Sequence, residues 1–330
     1  MRDHLDSDGI FVLYNYYRDD WLVSKLATML QDTFGHQPLV TTYGLPMATL
    51  AAGPLVACLP NGQPPADVVT GPPVLPSGDA APKSATDDWP FLYLRTPFIA
   101  THYLTALAVV LIGALIAVAL AARVTGTTIR RFSPHFFALG VAFLLLSTRS
   151  LTSFSLLFGT TWLVNSLAFF AILTSVLLAI FVNARWPIRR PTPLYVALFV
   201  SIGVAFLLPP ESLLLDPPIL RYAIASVVAF APVFLANLVF SYSFRDTATA
   251  DMSFASNLLG AMVGGALEYL ALLTGYQALL LVVALFYALA WLFATRLRLG
   301  ADRELASEIA EPALTPPIPA PQPLPPAPAA

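Results

Sequence analysis

The sequence predicts a polytopic α-helical membrane protein with about seven transmembrane helices, preceded by a small α/β segment. Two observations lead to this fold class. Hydrophobic residues make up 57% of the 330-residue chain and charged residues only 11%, whereas an ordinary soluble domain carries about 25% charged residues. From residue 101 onward the chain is mostly a succession of apolar runs, while residues 1–53 have the composition of a globular domain.

Seven apolar runs reach or approach the roughly 20 residues that a helix needs to cross the hydrocarbon core of a bilayer. Because lipid offers no hydrogen-bond partners to the backbone, we expect these runs to be helices. The second run is the weakest, since Arg149 interrupts it. The predicted membrane domain, residues 98–298, has spans near 101–122, 135–156, 161–183, 193–209, 219–242, 253–274 and 276–295.

The orientation of these spans follows from the basic residues, which tend to stay cytoplasmic near the ends of spans. Arginines follow the first, third and seventh runs, at positions 123, 130, 131, 185, 189, 190, 296, 298 and 303. Seven crossings then place the C-terminus in the cytoplasm and the N-terminal segment on the outer face. No signal peptide is visible, so we expect further spans upstream; the alternative is that the second span does not cross fully.

Residues 1–53 are predicted to form alternating elements of an α/β domain. Ile10 to Tyr14 is typical of a buried strand, and Trp21 to Phe34 has the apolar spacing of one helix face. Two further apolar stretches, 38–42 and 47–52, favour closing strands. The order strand, helix, strand, strand is typical of the C-terminal end of a doubly wound α/β domain. Some 50 residues cannot bury a stable core of that kind alone.

Proline-rich segments flank the membrane domain. Residues 54–97 are predicted to be a linker that ends in a juxtamembrane Asp-Asp-Trp-Pro segment, in which Trp89 would lie at the membrane interface. Asp87 and Asp88 within it are expected to form a solvated acidic turn. Residues 299–330, which end in a run rich in proline and alanine, are predicted to be a disordered tail on the inner face.

Ionisable residues inside a membrane span are costly, so Arg149 and Glu268 are candidate functional residues. In the sixth run Asn257, Gly260, Gly264 and Glu268 share one helix face, given the 3.6-residue period of a helix. The two glycines would let a neighbouring helix approach closely. Arg149, Asn257 and Glu268 could therefore form a polar site or ion path. The alternative is that these residues fix helix packing, either as a buried ion pair between Arg149 and Glu268 or through hydrogen bonds.

Other polar residues indicate binding or packing. Ligands of open α/β sheets bind beyond the carboxyl ends of strands, which makes Asn15, Tyr16 and Tyr17 a candidate pocket rim; the alternative is a solvent-exposed loop. The asparagines inside the third and fifth runs are predicted to form interhelical hydrogen bonds; they are Asn165, Asn183 and Asn237.

Several classes of function are disfavoured. The formal net charge of −2 gives no basic surface for nucleic acid, and the four histidines are too dispersed for a metal site. The soluble portion has no glycine-rich turn between a strand and a helix and no catalytic triad. We therefore expect no catalytic, metal-binding or cofactor-binding residues in this chain.

Four stretches carry a resemblance to a known family. They are DGIFVLYNYYRDDWLVSKLATML at 8–30, DDWPFLYLRTPFIATHYL at 87–104, SLLFGTTWLVNSLAFF at 155–170 and NLLGAMVGGALEYLALLTGYQALL at 257–280. In them the chain resembles large bacterial membrane proteins that are spermidine synthase-like, that is, similar to polyamine aminopropyltransferases fused to multispan membrane regions.

The resemblance implies a bacterial inner-membrane protein whose residues 1–53 are the remnant of a Rossmann-like, S-adenosylmethionine-type domain. The cofactor-binding half would lie upstream or be separately encoded, and would be a partner of this chain besides the lipid bilayer. An S-adenosylmethionine-type ligand is expected only with that half present, so the chain should not be catalytic alone. The alternative function is a transporter-like or scaffold bundle with a polar intramembrane site.

Overall fold

The structure, a computed structural model, describes residues 5–42, 47–57, 82–125, 132–186, 190–208, 210–213, 217–245 and 250–310. These residues are mostly helical and include one small sheet near the N-terminus. Most of the predicted linker, Cys58 included, and the end of the predicted tail lie outside the described residues.

The N-terminal elements follow the predicted order of strand, helix, strand and strand. They form what we call the α/β unit, which comprises β1 (Phe11–Tyr16), α1 (Asp20–Phe34), β2 (Leu39–Thr42), β3 (Met47–Ala52) and the short helix α2 (Pro54–Ala57). The sheet order is β1, β3, β2, and both outer strands run antiparallel to β3. Strands β1 and β2 are therefore parallel to each other, with α1 as the crossover between them.

Helix α1 covers one face of this sheet and ends at Gly35, whose φ of 77° is the left-handed conformation common at helix C-termini. The apolar stripe of α1 packs with the buried β3 side chains Leu50 and Ala52. No described residue covers the opposite face, and its Tyr14 and Tyr16 are 82% and 66% exposed. Within the described residues the sheet is thus covered on one face, whereas helices cover both faces of a doubly wound sheet.

Most of the remaining described residues form the helices expected of a membrane domain. They are α3 (Thr101–Thr125), α4 (Pro134–Phe158), α5 (Trp162–Arg185), α6 (Thr192–Leu207), α7 (Pro218–Arg245), α8 (Ala250–Glu268), α9 (Ala271–Thr274) and α10 (Tyr276–Ala310). Six helical segments are long and apolar enough to cross a membrane, with α8 and α9 counted together. The fourth expected span, α6, has 16 residues and a length of about 24 Å, which is shorter than a bilayer core of roughly 30 Å.

The hydrogen bonds between helices fix their directions. The start of α4 bonds to Ser256 of α8 and to Ala290 near the far end of the apolar part of α10, so α4 and α8 are parallel and α10 is antiparallel to both. The pairs Ser175–Asn237 and Asn183–Ser241 make α5 and α7 parallel. The bundle therefore has two ends: the Trp89 end, where α4 and α8 finish and α10 begins, and the opposite Arg245 end, where α5 and α7 finish.

Helix α4 forms the centre of the core and α3 lies at its edge. Val141, Ala142 and Leu145 of α4 are completely buried, and α4 packs against α5, α7, α8 and α10. The stretch Thr101–Ala121 has no buried residues, which suits a helix surrounded by lipid.

One predicted boundary is wrong. Helix α10 runs to Ala310, so residues 299–310 are helical and do not belong to an extended tail. The physical reason is that 301–310 is rich in alanine and glutamate, which favour helix, and that the next proline is Pro312. The remainder of the predicted tail, 311–330, lies outside the described residues.

Candidate functional site

A cavity of about 450 Å³ lies at the carboxyl end of β1. The predicted rim residues Asn15, Tyr16 and Tyr17 all line it, together with Arg18, Asp19, Trp21 and, from the segment before α3, Leu92 and Tyr93. The structure thus brings the three predicted residues to one cavity. Sequence reasoning missed its other wall, because nothing in the local pattern indicates that residues 92 and 93 fold back onto α1.

The cavity combines aromatic walls with a few polar groups. Tyr17 is buried, and burial, followed by the nearby Tyr93, raises the pKa of its phenol. Tyr17 therefore keeps its proton at neutral pH and can act as a hydrogen-bond donor. Arg18 and Asp19 add one charge of each sign at the wall. Cavities of this size and composition suit a small molecule.

Residues 82–100, which we call the juxtamembrane segment, connect the α/β unit to the bundle. Lys25 of α1 is completely buried, and its Nζ donates hydrogen bonds to the carbonyl oxygens of Phe91 and Leu94 at 2.9 and 2.8 Å. The same Nζ lies 4.9 Å from the centre of the Trp89 ring, within range of a cation–π interaction. Burial lowers the pKa of Lys25 to about 8. A buried cation with three partners thus fastens α1 to this segment.

The juxtamembrane segment is in turn fixed to the Trp89 end of the bundle. The indole Nε1 of Trp89 donates to the carbonyl oxygen of Leu272 at 2.8 Å, and Trp89 is 1% exposed. A carboxylate oxygen of Asp88 accepts from the backbone N–H of Gln277 at 2.6 Å, and its carbonyl accepts from Tyr276 N–H at 2.8 Å. The expectation of a solvated turn at Asp88 is therefore wrong, because this carboxylate satisfies the free N–H groups that begin α10.

The glycine before α10 makes this contact sterically feasible. Gly275 has a φ of 94°, and a Cβ at this position would overlap the Asp88 carboxylate. Only glycine satisfies both constraints at low cost.

Arg149 lies near the Trp89 end of α4 and is 5% exposed. Its Nη2 donates to the carbonyl oxygen of Ala205 in α6 at 3.3 Å, and the Asp88 carboxylate acts on it electrostatically. Its buried Nε and the buried hydroxyl of Ser147 have no hydrogen-bond partner among the described residues. Arg149 therefore links α4 to α6 by a hydrogen bond, and the nearby Asp88 carboxylate favours its positive charge.

Of the other members of the predicted polar site, Glu268 lies at the same end of the bundle as Arg149, whereas Asn257 lies near the beginning of α8. Glu268 ends α8 near Tyr276, on whose phenol it acts electrostatically. In the part of the chain that the structure describes, no hydrogen bond or ion pair joins Glu268 to Arg149. Asn257 is eleven residues before Glu268, about 16 Å away along α8. The structure thus does not bring Arg149, Asn257 and Glu268 together.

The predicted packing glycines Gly260 and Gly264 lie where α8 meets α4. A Cβ on Gly260 would overlap the carbonyl oxygen of Phe137, and one on Gly264 would come within 2.7 Å of the carbonyl oxygen of Val141. On the facing helix, Gly140 lies equally close to the carbonyl of Asn257. The two backbones are in direct contact through glycines of both helices, and sequence reasoning had identified only those of α8.

The prediction that the intramembrane asparagines form interhelical hydrogen bonds is confirmed. Asn165 accepts from Ser155 at 3.1 Å, Asn183 donates to Ser241 at 3.1 Å, and Asn237 donates to Ser175 at 3.2 Å. These bonds join α4 to α5 and α5 to α7.

Comparisons with protein-family models, with curated proteins and with solved structures give no match to this chain.

Proposed function

We propose that this chain is the membrane-anchoring C-terminal part of a spermidine synthase-like membrane protein and supplies the last strands of its α/β domain. The observation that carries this proposal is the small sheet, in which an antiparallel strand lies between two parallel strands joined by a helical crossover. One face of the sheet has no cover among the described residues. The membrane bundle then acts as a rigid support, because Lys25, Trp89 and Asp88 connect the α/β unit to it through buried contacts.

The open surface of β1 indicates where the missing half would bind. Strand β1 is an edge strand, so every second backbone N–H and C=O along it points away from β3. Val12, Tyr14 and Tyr16 on its uncovered face are all exposed. A further parallel strand beside β1 and a helix over these three side chains would complete a sheet covered on both faces. The cavity at Tyr17 would then open at the junction of the two halves, where open α/β sheets bind ligands.

We expect the polypeptide encoded upstream of this chain to contain a glycine-rich turn after a strand, and to bind the chain through β1 when the two are co-expressed. Binding should slow hydrogen exchange at the β1 amides, and a Tyr14→Glu substitution should abolish co-purification because it buries a charge. Gln31→Glu, which places the same charge on the exposed side of α1, is the matched control and should leave binding intact. Unchanged exchange at β1 on co-expression would contradict the proposal.

The helix directions support seven crossings. Helices α5 and α7 are parallel, and α6 between them ends beside Arg149 and Gln277 at the Trp89 end. Helix α6 therefore returns the chain across the bundle despite its 16 residues. Arg123, Arg185 and Arg245 end their helices at the Arg245 end, which the positive-inside rule assigns to the cytoplasm. The α/β unit is then on the outer face of the inner membrane.

The sidedness of the α/β unit can be measured at Cys58, the single cysteine of the chain. We expect a membrane-impermeant thiol reagent to label Cys58 in intact spheroplasts as fully as after lysis, because seven crossings place it outside. Labelling only after lysis would mean that the α/β unit lies on the cytoplasmic side. The cavity would then face the cytoplasmic pool of S-adenosylmethionine. Full reactivity in denaturant is the control, because it shows that the thiol itself can be labelled.

A transporter-like bundle finds less support than a scaffold. A polar path would have to connect Asn257 with Glu268 over about 16 Å of α8, along a face where Gly260 and Gly264 touch the backbone of α4. Direct backbone contact leaves no space there for water or a solute. The hydrogen bond from Arg149 to Ala205 holds α4 against α6 instead, which is the role expected in a support.

A further inference from the structure

The last turn of α6 has two carbonyl groups that the helix itself cannot satisfy. In an α-helix each carbonyl oxygen accepts a hydrogen bond from the N–H four residues later, which is Pro209 for Ala205 and Pro210 for Phe206. Proline has no N–H, so both carbonyls are left without a donor from their own helix. Ala205 is 2% exposed, and its carbonyl therefore needs a donor from elsewhere in the protein.

Two side chains of other helices supply these donors. Arg149 of α4 donates through Nη2 to the carbonyl oxygen of Ala205 at 3.3 Å, and Gln277 of α10 donates through Nε2 to that of Phe206 at 2.6 Å. The two acceptors are thus the same two carbonyls that the prolines leave free. A buried carbonyl that loses its donor is destabilising, so the end of α6 is stable only while both side chains stay in place.

The juxtamembrane segment holds both donors in position. The Asp88 carboxylate accepts from the backbone N–H of Gln277 at 2.6 Å, which fixes the start of α10. The same carboxylate favours the positive charge of Arg149. Asp88 directly precedes Trp89, whose ring centre lies 4.9 Å from the Lys25 Nζ of α1. A continuous chain of contacts therefore runs from α1 of the α/β unit to the end of α6.

We propose that the end of α6 is a conformational switch that the docked α/β unit keeps closed. In the closed state Asp88 positions Gln277 and stabilises Arg149, and both free carbonyls of α6 have donors. When the α/β unit is displaced, Asp88 moves away, the two donors loosen and the last turn of α6 unwinds. The membrane helices thus respond to the docking of the α/β unit. This switch does not depend on the identity proposed for the complete α/β domain.

Hydrogen exchange of the full chain in lipid nanodiscs, measured by mass spectrometry at residues 203–208, tests this proposal. Asp88→Ala should speed exchange at these amides about tenfold, the effect of about one hydrogen bond to a charged group. Asp87→Ala is the matched control, because Asp87 is the exposed neighbour of Asp88, and it should leave the end of α6 unchanged. Equal exchange in Asp88→Ala and in the unmodified chain would overturn the proposal.

A substitution in α1 tests whether the switch responds to the α/β unit itself. Lys25→Met removes the ammonium group that fastens α1 to the juxtamembrane segment. We expect it to speed exchange at residues 203–208 as well, whereas Gln31→Met, on the exposed side of α1, should not. Faster exchange that stays confined to the juxtamembrane segment in Lys25→Met would overturn the switch, because the contact would then act only locally.

The prolines provide a test of the mechanism. Gln277→Leu removes one donor and should speed exchange at the end of α6 about fivefold, the effect of about one net hydrogen bond. In a Pro209→Ala/Pro210→Ala background α6 can continue and supply its own N–H groups, so Gln277→Leu should have little effect there. The matched background is Pro217→Ala/Pro218→Ala, the proline pair at the start of α7, in which Gln277→Leu should keep its full effect. Equal effects in the two backgrounds would overturn the mechanism. If Gln277→Leu does not fold, the comparison of Asp88→Ala with Asp87→Ala decides.

Discussion

Replacing Gly260 with alanine is expected to destabilise the bundle by about 3 kcal/mol, although the same change on an exposed helix would stabilise by up to about 1 kcal/mol. The reason is the direct contact between α8 and α4. The added Cβ would overlap the carbonyl oxygen of Phe137, a backbone atom that cannot rotate away. The two helices would have to separate, and the packing of the central helix α4 against its neighbours would loosen.

The measurement is the midpoint of thermal unfolding, followed by circular dichroism in one detergent. Gly203→Ala is the matched control, since Gly203 lies within the apolar helix α6 and a Cβ there meets no atom within 4 Å. We expect a large downward shift for Gly260→Ala and no decrease for Gly203→Ala. Similar midpoints in the two variants would show that α4 and α8 do not depend on close backbone contact.

The sequence was sufficient for features that depend on local pattern. The apolar runs predicted every long helix, because an apolar segment of sufficient length is stable as a helix in lipid whatever its neighbours are. The stripe containing Gly260 and Gly264 predicted the close-packed face of α8. The order of β1, α1, β2 and β3 followed from the two periodicities of strand and helix. The six long spans are confirmed, and the identity of the complete α/β domain stays a prediction.

Features that depend on contacts between distant residues could not be predicted. The hydrogen bond from Trp89 to Leu272 joins positions 183 residues apart, and the carboxylate of Asp88 meets the start of α10 at a similar separation. Their opposite charges and their positions within the runs make Arg149 and Glu268 candidates for an ion pair. In the structure Arg149 donates to a carbonyl on α6 instead. Lys25 gave one local signal that was missed: it is three residues from Leu22 and therefore on the buried face of α1.

Replacing Trp89 with alanine is expected to release the α/β unit from the bundle. Trp89 is 1% exposed, packs edge-on against Phe91 and lies beside the ammonium groups of Lys25 and Lys83. Truncating a buried tryptophan costs about 3–5 kcal/mol, and the hydrogen bond to Leu272 is lost with it. Limited proteolysis of the membrane-embedded protein should then cut the juxtamembrane segment much faster, while the helices remain protected.

Trp162→Ala is the control for this experiment. Trp162 begins α5 and is 80% exposed, so its removal changes the tryptophan content without breaking a buried contact. We expect its proteolysis pattern to match that of the unmodified chain. Rapid cleavage inside the helices of Trp89→Ala would instead mean that Trp89 stabilises the bundle itself. Slow cleavage throughout would mean that Lys25 and Asp88 suffice to hold the α/β unit, because their hydrogen bonds to the juxtamembrane segment and to α10 do not involve the indole.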